Sequence, residues 1–173
     1  DLRMSRGLGD VYKRQILYNL SLLTLGFLFH HPIAVTIYII ITGSLRAVTG
    51  GYHCKTRISC YILSYTVFSI YLLTIATIPM ISAYILIPIY IICWILILVV
   101  SPVDTPNKVF SKSAKKTARK KTYIIFFFNS IFTILSLLLH WNKGLIFIDL
   151  SLIICATGLY TGYISNIRRH HES

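Results

Sequence analysis

Acidic side chains are scarce in this sequence, which has 5 Asp and Glu residues against 17 Lys and Arg among 173 residues. Charged residues of both signs make up 13%, about half the share that is usual in soluble domains. Hydrophobic residues make up 55%, and the mean hydropathy is +0.71. This shortage of charge argues against a soluble domain. The long apolar runs instead predict membrane spans of roughly 20 residues each.

Cysteine is also infrequent, and its four positions do not form the framework of a disulfide-rich secreted domain. Cys93 and Cys155 lie inside apolar runs, where a cysteine usually behaves as a small hydrophobic residue. Cys54 and Cys60 lie in a more polar segment. Any reactive thiol is therefore expected among these two.

No cleavable signal peptide is evident, because the first fifteen residues are polar and the run that follows continues into further spans. Residues 1–15, "DLRMSRGLGDVYKRQ", have no hydrophobic periodicity. Two interpretations are open: a basic cytoplasmic tail, or translated sequencing-adapter read-through, which the stretch resembles. We assign no function to it.

Six apolar runs follow, at residues 16–29, 32–45, 58–78, 81–100, 123–139 and 145–163. The first two are short for a full crossing at ~1.5 Å of rise per residue. The sequence predicts an all-α, polytopic integral membrane protein with about six transmembrane helices. Its single membrane domain covers residues 16–170, and residues 171–173 form a short tail.

The cations are concentrated after alternate runs, and this predicts the orientation. They follow the second, fourth and sixth runs: Arg46, Lys55 and Arg57; Lys108, Lys112, Lys115, Lys116, Arg119, Lys120 and Lys121; and Arg168 and Arg169. The three opposite turns together carry only Lys143. Because positive loops favour the cytoplasm, these loops and both termini are predicted to be cytoplasmic. The net charge of +12 therefore indicates orientation and not nucleic-acid binding.

The longest polar segment is "SPVDTPNKVFSKSAKKTARKK", residues 101–121. Pro102 and Pro106 prevent the fourth helix from continuing through it. Lysines then recur with i, i+4 spacing, which predicts one basic face of a short helix. Two compatible roles are open for this face: contact with anionic lipid, and docking of a substrate through Lys115 and Lys116.

The segment "RAVTGGYHCKTRISC", residues 46–60, is chemically unlike the rest of the chain. In one straight helix, His53 and Cys60 would share a face but lie ~10.5 Å apart along the axis. A thiolate–imidazole pair needs a distance of about 3 Å. A catalytic pair therefore requires a bend, which Gly50 and Gly51 would permit, while the neighbouring cations would favour a thiolate.

Two other interpretations of this segment are open. His53 and Cys60 could be packing residues near the membrane interface. A metal site from His53, Cys54 and Cys60 would have suitable ligand types, but no fourth ligand is evident. The sequence therefore predicts no metal and no cofactor.

The motif "GGYHCKTRISC", preceded by Arg46 and followed by an apolar run, resembles the signature of the accessory gene regulator B (AgrB) family. That family has a Gly-Gly-x-His segment with a cysteine seven residues after the histidine. "SPVDTPNK", leading into a lysine-rich stretch, resembles the family's second recurrent patch. The resemblance covers about residues 16–170. Two departures are Cys54, where the family usually has a small residue such as Ala, and the missing family-like N-terminal helix.

The resemblance implies a membrane cysteine endopeptidase that removes the C-terminal tail of a quorum-sensing autoinducer pro-peptide and assists its cyclisation. In that role His53 is the general base and Cys60 the nucleophile, facing the cytoplasm. Asp104 would orient the imidazole, or else cap the loop turn. Arg46 would orient the site or bind an acidic group on the substrate. Alternatively, it would serve only as one of the positive charges that favour the cytoplasmic side. The implied partners are the pro-peptide and the lipid bilayer, and a homodimer is left open.

Two rival hypotheses come from other residues. A non-enzymatic transporter or peptide export channel would use the "GGYH" segment as a pore element, and Asp149 is its best feature because ionisable groups inside spans mark transport pathways. A metal-binding membrane sensor would use His30, His31 and the surroundings of Cys54. Those groups are predicted on opposite sides of the membrane, which weakens the second rival.

Overall fold

The computed structural model of the chain describes residues 2–52, 54, 56–78, 81–103 and 111–172. Its regular structure is entirely α-helical within these ranges. The six helices are α1 (Leu2–Leu28), α2 (Pro32–Thr49), α3 (Arg57–Thr77), α4 (Ala83–Val100), α5 (Lys112–Leu138) and α6 (Asn142–Glu172). Each predicted apolar run corresponds to one helix.

Five helices, α2 to α6, are long and apolar enough to cross a membrane. Helix α1 is not among them, because its first half consists of the polar N-terminal stretch, which is helical and continuous with the first apolar run. The prediction of an all-α, multi-pass membrane protein is therefore confirmed. A sixth crossing by α1 and a cytoplasmic location of both termini stay predictions.

Two tight hairpins connect helices at the same end of the bundle. His30 and His140 adopt left-handed backbone conformations, with φ of 59° and 52°. The residue after each donates its backbone N–H five residues back, from His31 to Gly26 and from Trp141 to Ser136, both at 2.8 Å. Two of the three predicted turns opposite the basic loops, between the first and second and between the fifth and sixth apolar runs, are thereby confirmed.

The basic stretch before the fifth apolar run differs from the prediction of a short separate helix. It is the first part of α5, a single helix of 27 residues. Ser111 caps this helix by accepting a 3.2 Å hydrogen bond from the Ala114 N–H. No proline or glycine interrupts residues 112–138, so the helix continues from the lysines into the apolar run.

Helix α6 is the central helix and packs against α2, α3, α4 and α5. One buried cluster joins α2, α4 and α6 around Trp94, Ile148 and Leu152. A second joins α1, α2 and α3 around Val35, Phe68 and Tyr71. The outward faces carry many exposed Ile, Leu and Phe side chains, as expected for a surface that contacts lipid.

Helices α1 and α2 approach closely where Gly26 meets Val35. A Cβ atom at Gly26 would lie 2.8 Å from Val35 Cγ2, and Val35 is completely buried. We therefore expect Gly26→Ala to destabilise the protein by about 1–3 kcal/mol through overpacking. Thermal unfolding in detergent measures the change.

The matched control is Gly43→Ala, because a Cβ there would meet no atom within 4 Å. That variant should be as stable as the original protein or up to about 1 kcal/mol more stable. The costs of Gly26→Ala and Val35→Ala should be less than additive, because Val35→Ala removes the clash. Strict additivity would show that the two helices do not meet there.

Candidate functional site

The Gly-Gly segment ends α2 and turns the chain onto α6. Helix α2 ends at Thr49, and Gly50 and Gly51 follow with φ of 77° and 145°. Side chains strongly disfavour this backbone region, so glycine is required for the turn. The next residue, Tyr52, donates its backbone N–H to the Gly158 carbonyl on α6 at 3.0 Å. The segment 50–52 is therefore docked on the central helix.

Gly162 makes this close docking possible. A Cβ at Gly162 would lie 2.7 Å from the Gly51 carbonyl carbon and 2.8 Å from the Tyr52 nitrogen. A Cβ at Gly158 would meet only the Arg46 guanidinium, at 3.5 Å from Nη2. Sequence reasoning missed Gly158 and Gly162. Their spacing in "GLYTG", two small residues four apart on an apolar helix, is a known signal of close backbone approach.

Arg46 lies in the last turn of α2, beside the docked segment. A cation at this end of a helix is favourable because the helix carboxyl end bears partial negative charge. The guanidinium also lies against Gly158 of α6. The sequence proposed Arg46 as a site-shaping residue, and the structure places it between α2, α6 and the Gly-Gly turn.

Cys60 lies in the first turn of α3. Thr56 caps this helix, with its Oγ1 accepting from the Ser59 N–H at 3.2 Å. The Cys60 N–H then donates to the Thr56 carbonyl at 3.2 Å. The Cys60 side chain is half-buried. It is thus held at a helix amino end, where the partial positive charge suits a sulfur anion.

Cys54 lies on non-helical backbone two residues before Thr56 and is half-buried. Partial burial raises the pKa of the Cys54 thiol, and negative charge on Cys60 raises it further. Sequence reasoning favoured Cys60 as the nucleophile from its spacing to His53.

Helix α1 contributes an aromatic wall next to α3, which sequence reasoning also missed. The ring of Tyr18 lies 5.4 Å from that of Tyr65 and 6.3 Å from that of Tyr61. The Tyr65 hydroxyl shares a 2.6 Å hydrogen bond with Ser21 Oγ. Arg46 and Cys60 both lie within electrostatic range of Tyr18. Helix α1 therefore borders the region that contains the nucleophile candidate.

The two sequence patches meet in the structure. The Val103 N–H, in the patch that begins at Ser101, donates to the Thr49 carbonyl at the end of α2 with a distance of 3.0 Å. Val103 is buried, and Ser101 Oγ lies 3.4 Å from Thr122 Oγ1 on α5. The start of the second patch thus links the Gly-Gly turn to the basic helix α5.

A family model of accessory gene regulator B matches residues 10–161, which include both patches and the docking glycine Gly158. The chain belongs to the accessory gene regulator B family. No curated protein and no solved structure matches the chain. AgrB membership confirms the suspected family and supports a role in the processing of quorum-sensing peptides.

The structure describes only some of the residues to which the family resemblance assigns a role. His53 and Asp104 lie outside the described residues, so their catalytic roles stay predictions. Lys115 and Lys116 lie in the second turn of α5, where Lys116 is exposed and Lys115 half-buried. A role of these lysines in substrate binding also stays a prediction.

Asp149, His30 and His31, on which the rival hypotheses partly rest, lie away from the docked segment. Asp149 is nine residues before Gly158 on α6, which is roughly 13 Å along the helix. His30 and His31 precede α2, whereas Cys54 follows it, so the 18 residues of that helix separate them. Within the described residues, no group of three or more His, Cys, Asp or Glu side chains is arranged to hold a metal ion.

An apolar cavity of about 310 Å³ lies between α2 and α5. Ile37, Ile41, Phe128 and Phe132 are among the residues that line it. Among the described residues, neither Cys60 nor the Gly-Gly turn contributes to its wall.

Gly162→Ala tests the docking of the Gly-Gly segment. The added Cβ cannot be accommodated at 2.7 Å from Gly51, so residues 50–52 must move away from α6. We expect Cys54, which follows this segment, to react severalfold faster with a polar maleimide in intact membranes. Peptide mass spectrometry measures the rate at Cys54 specifically. Gly158→Ala and Gly43→Ala are the matched controls, and a Gly162→Ala rate equal to theirs would contradict the docking.

Asp149→Asn separates peptide processing from ion-driven transport. Asp149 is 4% exposed, and in the described structure its Oδ2 has no hydrogen-bond partner. Because it lies far from the docked segment, removal of its charge should leave processing of a co-expressed pro-peptide unchanged. A loss of processing in Asp149→Asn but not in Asp149→Glu would instead show that processing itself depends on this carboxylate.

Proposed function

We propose that this AgrB family member is a membrane cysteine endopeptidase that trims and cyclises a quorum-sensing pro-peptide. The observation that carries the proposal is the position of Cys60 in the first turn of α3, directly after a docked Gly-Gly turn that leads into His53. Cys60 is the proposed nucleophile, His53 the general base and Asp104 the group that orients the imidazole.

A catalytic pair of His53 and Cys60 requires that the chain is not one straight helix between α2 and α3, and the described backbone there is not helical. Helix α2 ends at Thr49 and α3 begins at Arg57, and residues 50–52, 54 and 56 are non-helical. The separation of ~10.5 Å expected in one straight helix therefore does not apply. Tyr52, the residue before His53 in the sequence, is held on α6 through its N–H. This geometry supports a meeting of imidazole and thiol.

The proposed reaction proceeds through a thioester. His53 takes the proton of Cys60, and the thiolate attacks the carbonyl before the pro-peptide's C-terminal tail. The C–N bond breaks, and the protonated imidazole gives its proton to the departing amine of the tail. A cysteine thiol or serine hydroxyl within the peptide then attacks the acyl group. A cyclic thiolactone or lactone is released, and the Cys60 sulfur is regenerated.

The location of the site suits this chemistry, because water would hydrolyse the acyl-enzyme before the ring closes. Helices α2 and α3, which flank the site, both have the length and composition of membrane spans. A site at their ends is bordered by lipid on one side, which limits the access of water. The aromatic side chains of Tyr18 and Tyr61 add to this barrier.

The charge distribution supports an orientation with six crossings, both termini in the cytoplasm and the active site facing the cytoplasm of the cell membrane. Arg46 and the lysines at the start of α5, including Lys115 and Lys116, then lie on the same side as Cys60. We propose that these cations attract and position acidic groups of the pro-peptide tail.

Co-expression with a candidate pro-peptide tests the proposal. Cys60→Ala and His53→Ala should each reduce processing by about 10³-fold or more, because each removes a member of the nucleophilic pair. The thioester intermediate should be detectable as a hydroxylamine-sensitive adduct of the peptide on Cys60. Mass spectrometry of the products and of the protein measures both effects.

Matched cysteine variants serve as controls. Cys93→Ala and Cys155→Ala alter buried thiols within α4 and α6 and should retain processing. Cys54→Ala should also retain it, which distinguishes the two neighbouring sulfur atoms. Processing that persists in Cys60→Ala would overturn the proposed function.

A further inference from the structure

The buried face of α5 carries four polar side chains, and three of them are satisfied within the helix. The hydroxyls of Thr122, Thr133 and Ser136 each donate to the backbone carbonyl four residues earlier, at 3.1, 3.0 and 2.9 Å. Asn129 is the exception. It is only 9% exposed, and its Oδ1 has no hydrogen-bond partner among the described residues. An unpaired amide at membrane depth is costly, because the lipid chains offer it no partner.

Asn129 lines the apolar cavity of about 310 Å³ between α2 and α5. The other polar side chain in the wall is Ser44 of α2, whose hydroxyl already donates to the carbonyls of Ile40 and Ile41, at 2.6 and 3.1 Å. The remaining side chains of the wall are Ile and Phe. Two of these, Ile40 and Phe128, are 63% and 66% exposed, so the cavity opens at the lipid-facing surface.

We propose that this cavity is a binding site for a fatty acid in its neutral form. The carboxyl group pairs with the Asn129 amide, and the hydrocarbon chain lies along the Ile and Phe wall. The acid enters from the bilayer, through the opening beside Phe128. The inference goes beyond the proposed function and does not rest on it, because neither Cys60 nor the Gly-Gly turn lines the cavity.

The unpaired amide is what favours a carboxyl group over other polar groups. A carboxamide has a carbonyl acceptor and an NH₂ donor, and a protonated carboxyl has an O–H donor and a carbonyl acceptor. The two groups can therefore form two hydrogen bonds, from the carboxyl O–H to Oδ1 and from Nδ2–H to the carboxyl carbonyl. Rotation about χ2, which is broad for asparagine, brings both amide atoms to the ligand. An ionised carboxylate would lack the donor and would be costly in this apolar wall.

The size and depth of the cavity suit a single chain with one polar end. An apolar cavity of ~150 Å³ holds benzene, so a cavity of about 310 Å³ has room for about twelve carbon atoms. Asn129 lies roughly 12 Å along α5 from Lys121, the last of the lysines, and so within the apolar part of the helix. An extended peptide fits poorly, because each of its peptide groups would need a partner at this depth and the wall offers one amide.

The experiment uses the full chain in lipid nanodiscs at mildly acidic pH, with dodecanoic acid that carries a diazirine at its methyl end. Irradiation should attach this probe to the peptides of α2 and α5 that line the cavity. Unlabelled dodecanoic acid should displace the probe about 3- to 10-fold more effectively than methyl dodecanoate, which keeps the chain and the carbonyl but has no O–H donor. Mass spectrometry of the digested protein measures the labelling. Equal displacement by acid and ester would overturn the proposal, because the cavity would then accept any lipid chain.

Two variants test the wall itself. Asn129→Leu removes the amide at similar side-chain size, so labelling should fall about 3- to 10-fold and the preference for acid over ester should disappear. Ser44→Leu fills the cavity without removing a bond between helices, and should lower labelling by any probe. If Asn129→Leu does not fold, Ser44→Leu and the comparison of acid with ester still decide.

Thr74→Val is the matched control, because the Thr74 hydroxyl donates within its own helix α3, to the Ile70 carbonyl at 2.7 Å. It should be labelled like the original protein, and so should Cys60→Ala, whose loss of processing bears on the proposed function alone. Labelling of Asn129→Leu equal to that of Thr74→Val would contradict the site.

Phe128→Cys distinguishes a second copy of the chain as the occupant. If two copies meet on this face, oxidation should link the variant into a disulfide dimer that the original protein does not form, and the probe should not reach the cavity. Such a dimer without labelling would overturn the proposal. Absence of both the dimer and the labelling would overturn it as well, because the cavity would then hold only water or bulk lipid.

Discussion

The structure depends on one close backbone contact, between the Gly-Gly turn after α2 and the central helix α6. Space for it exists only because Gly162 has no side chain, and the Tyr52 N–H fixes it through the Gly158 carbonyl. Helices α2 and α3 have the length of membrane spans, and the short polar segment between them would otherwise have no defined position. Docking gives residues 50–52 a defined position.

The surrounding elements converge on the same place. The second family patch reaches it through the Val103–Thr49 hydrogen bond, and Arg46 lies between α2 and α6. The cap at Thr56 sets the start of α3 and with it the position of Cys60 in the first turn of that helix. Backbone hydrogen bonds and small residues therefore build the site, as is usual where lipid supplies no water to satisfy polar groups.

The polar segment between α2 and α3 has to meet two requirements. It must reach water, because its cations and peptide groups are costly in hydrocarbon. It must also protect an acyl intermediate from water if the proposed chemistry is right. A turn fixed on the central helix, next to the end of the apolar helix α2, would satisfy both.

The sequence by itself determined the helical membrane fold, the family and Cys60 as the candidate nucleophile, because apolar runs and motif spacing are local properties. It also predicted turns between the first and second and between the fifth and sixth apolar runs, because the apolar sequence is interrupted there. Only the tertiary structure decided that the basic stretch belongs to α5 and that Gly158 and Gly162 hold the Gly-Gly turn. The extent of α5 depends on how the chain continues past the lysines, and the docking depends on which distant backbones meet. Neither can be read from the hydrophobic periodicity or the composition of a single segment.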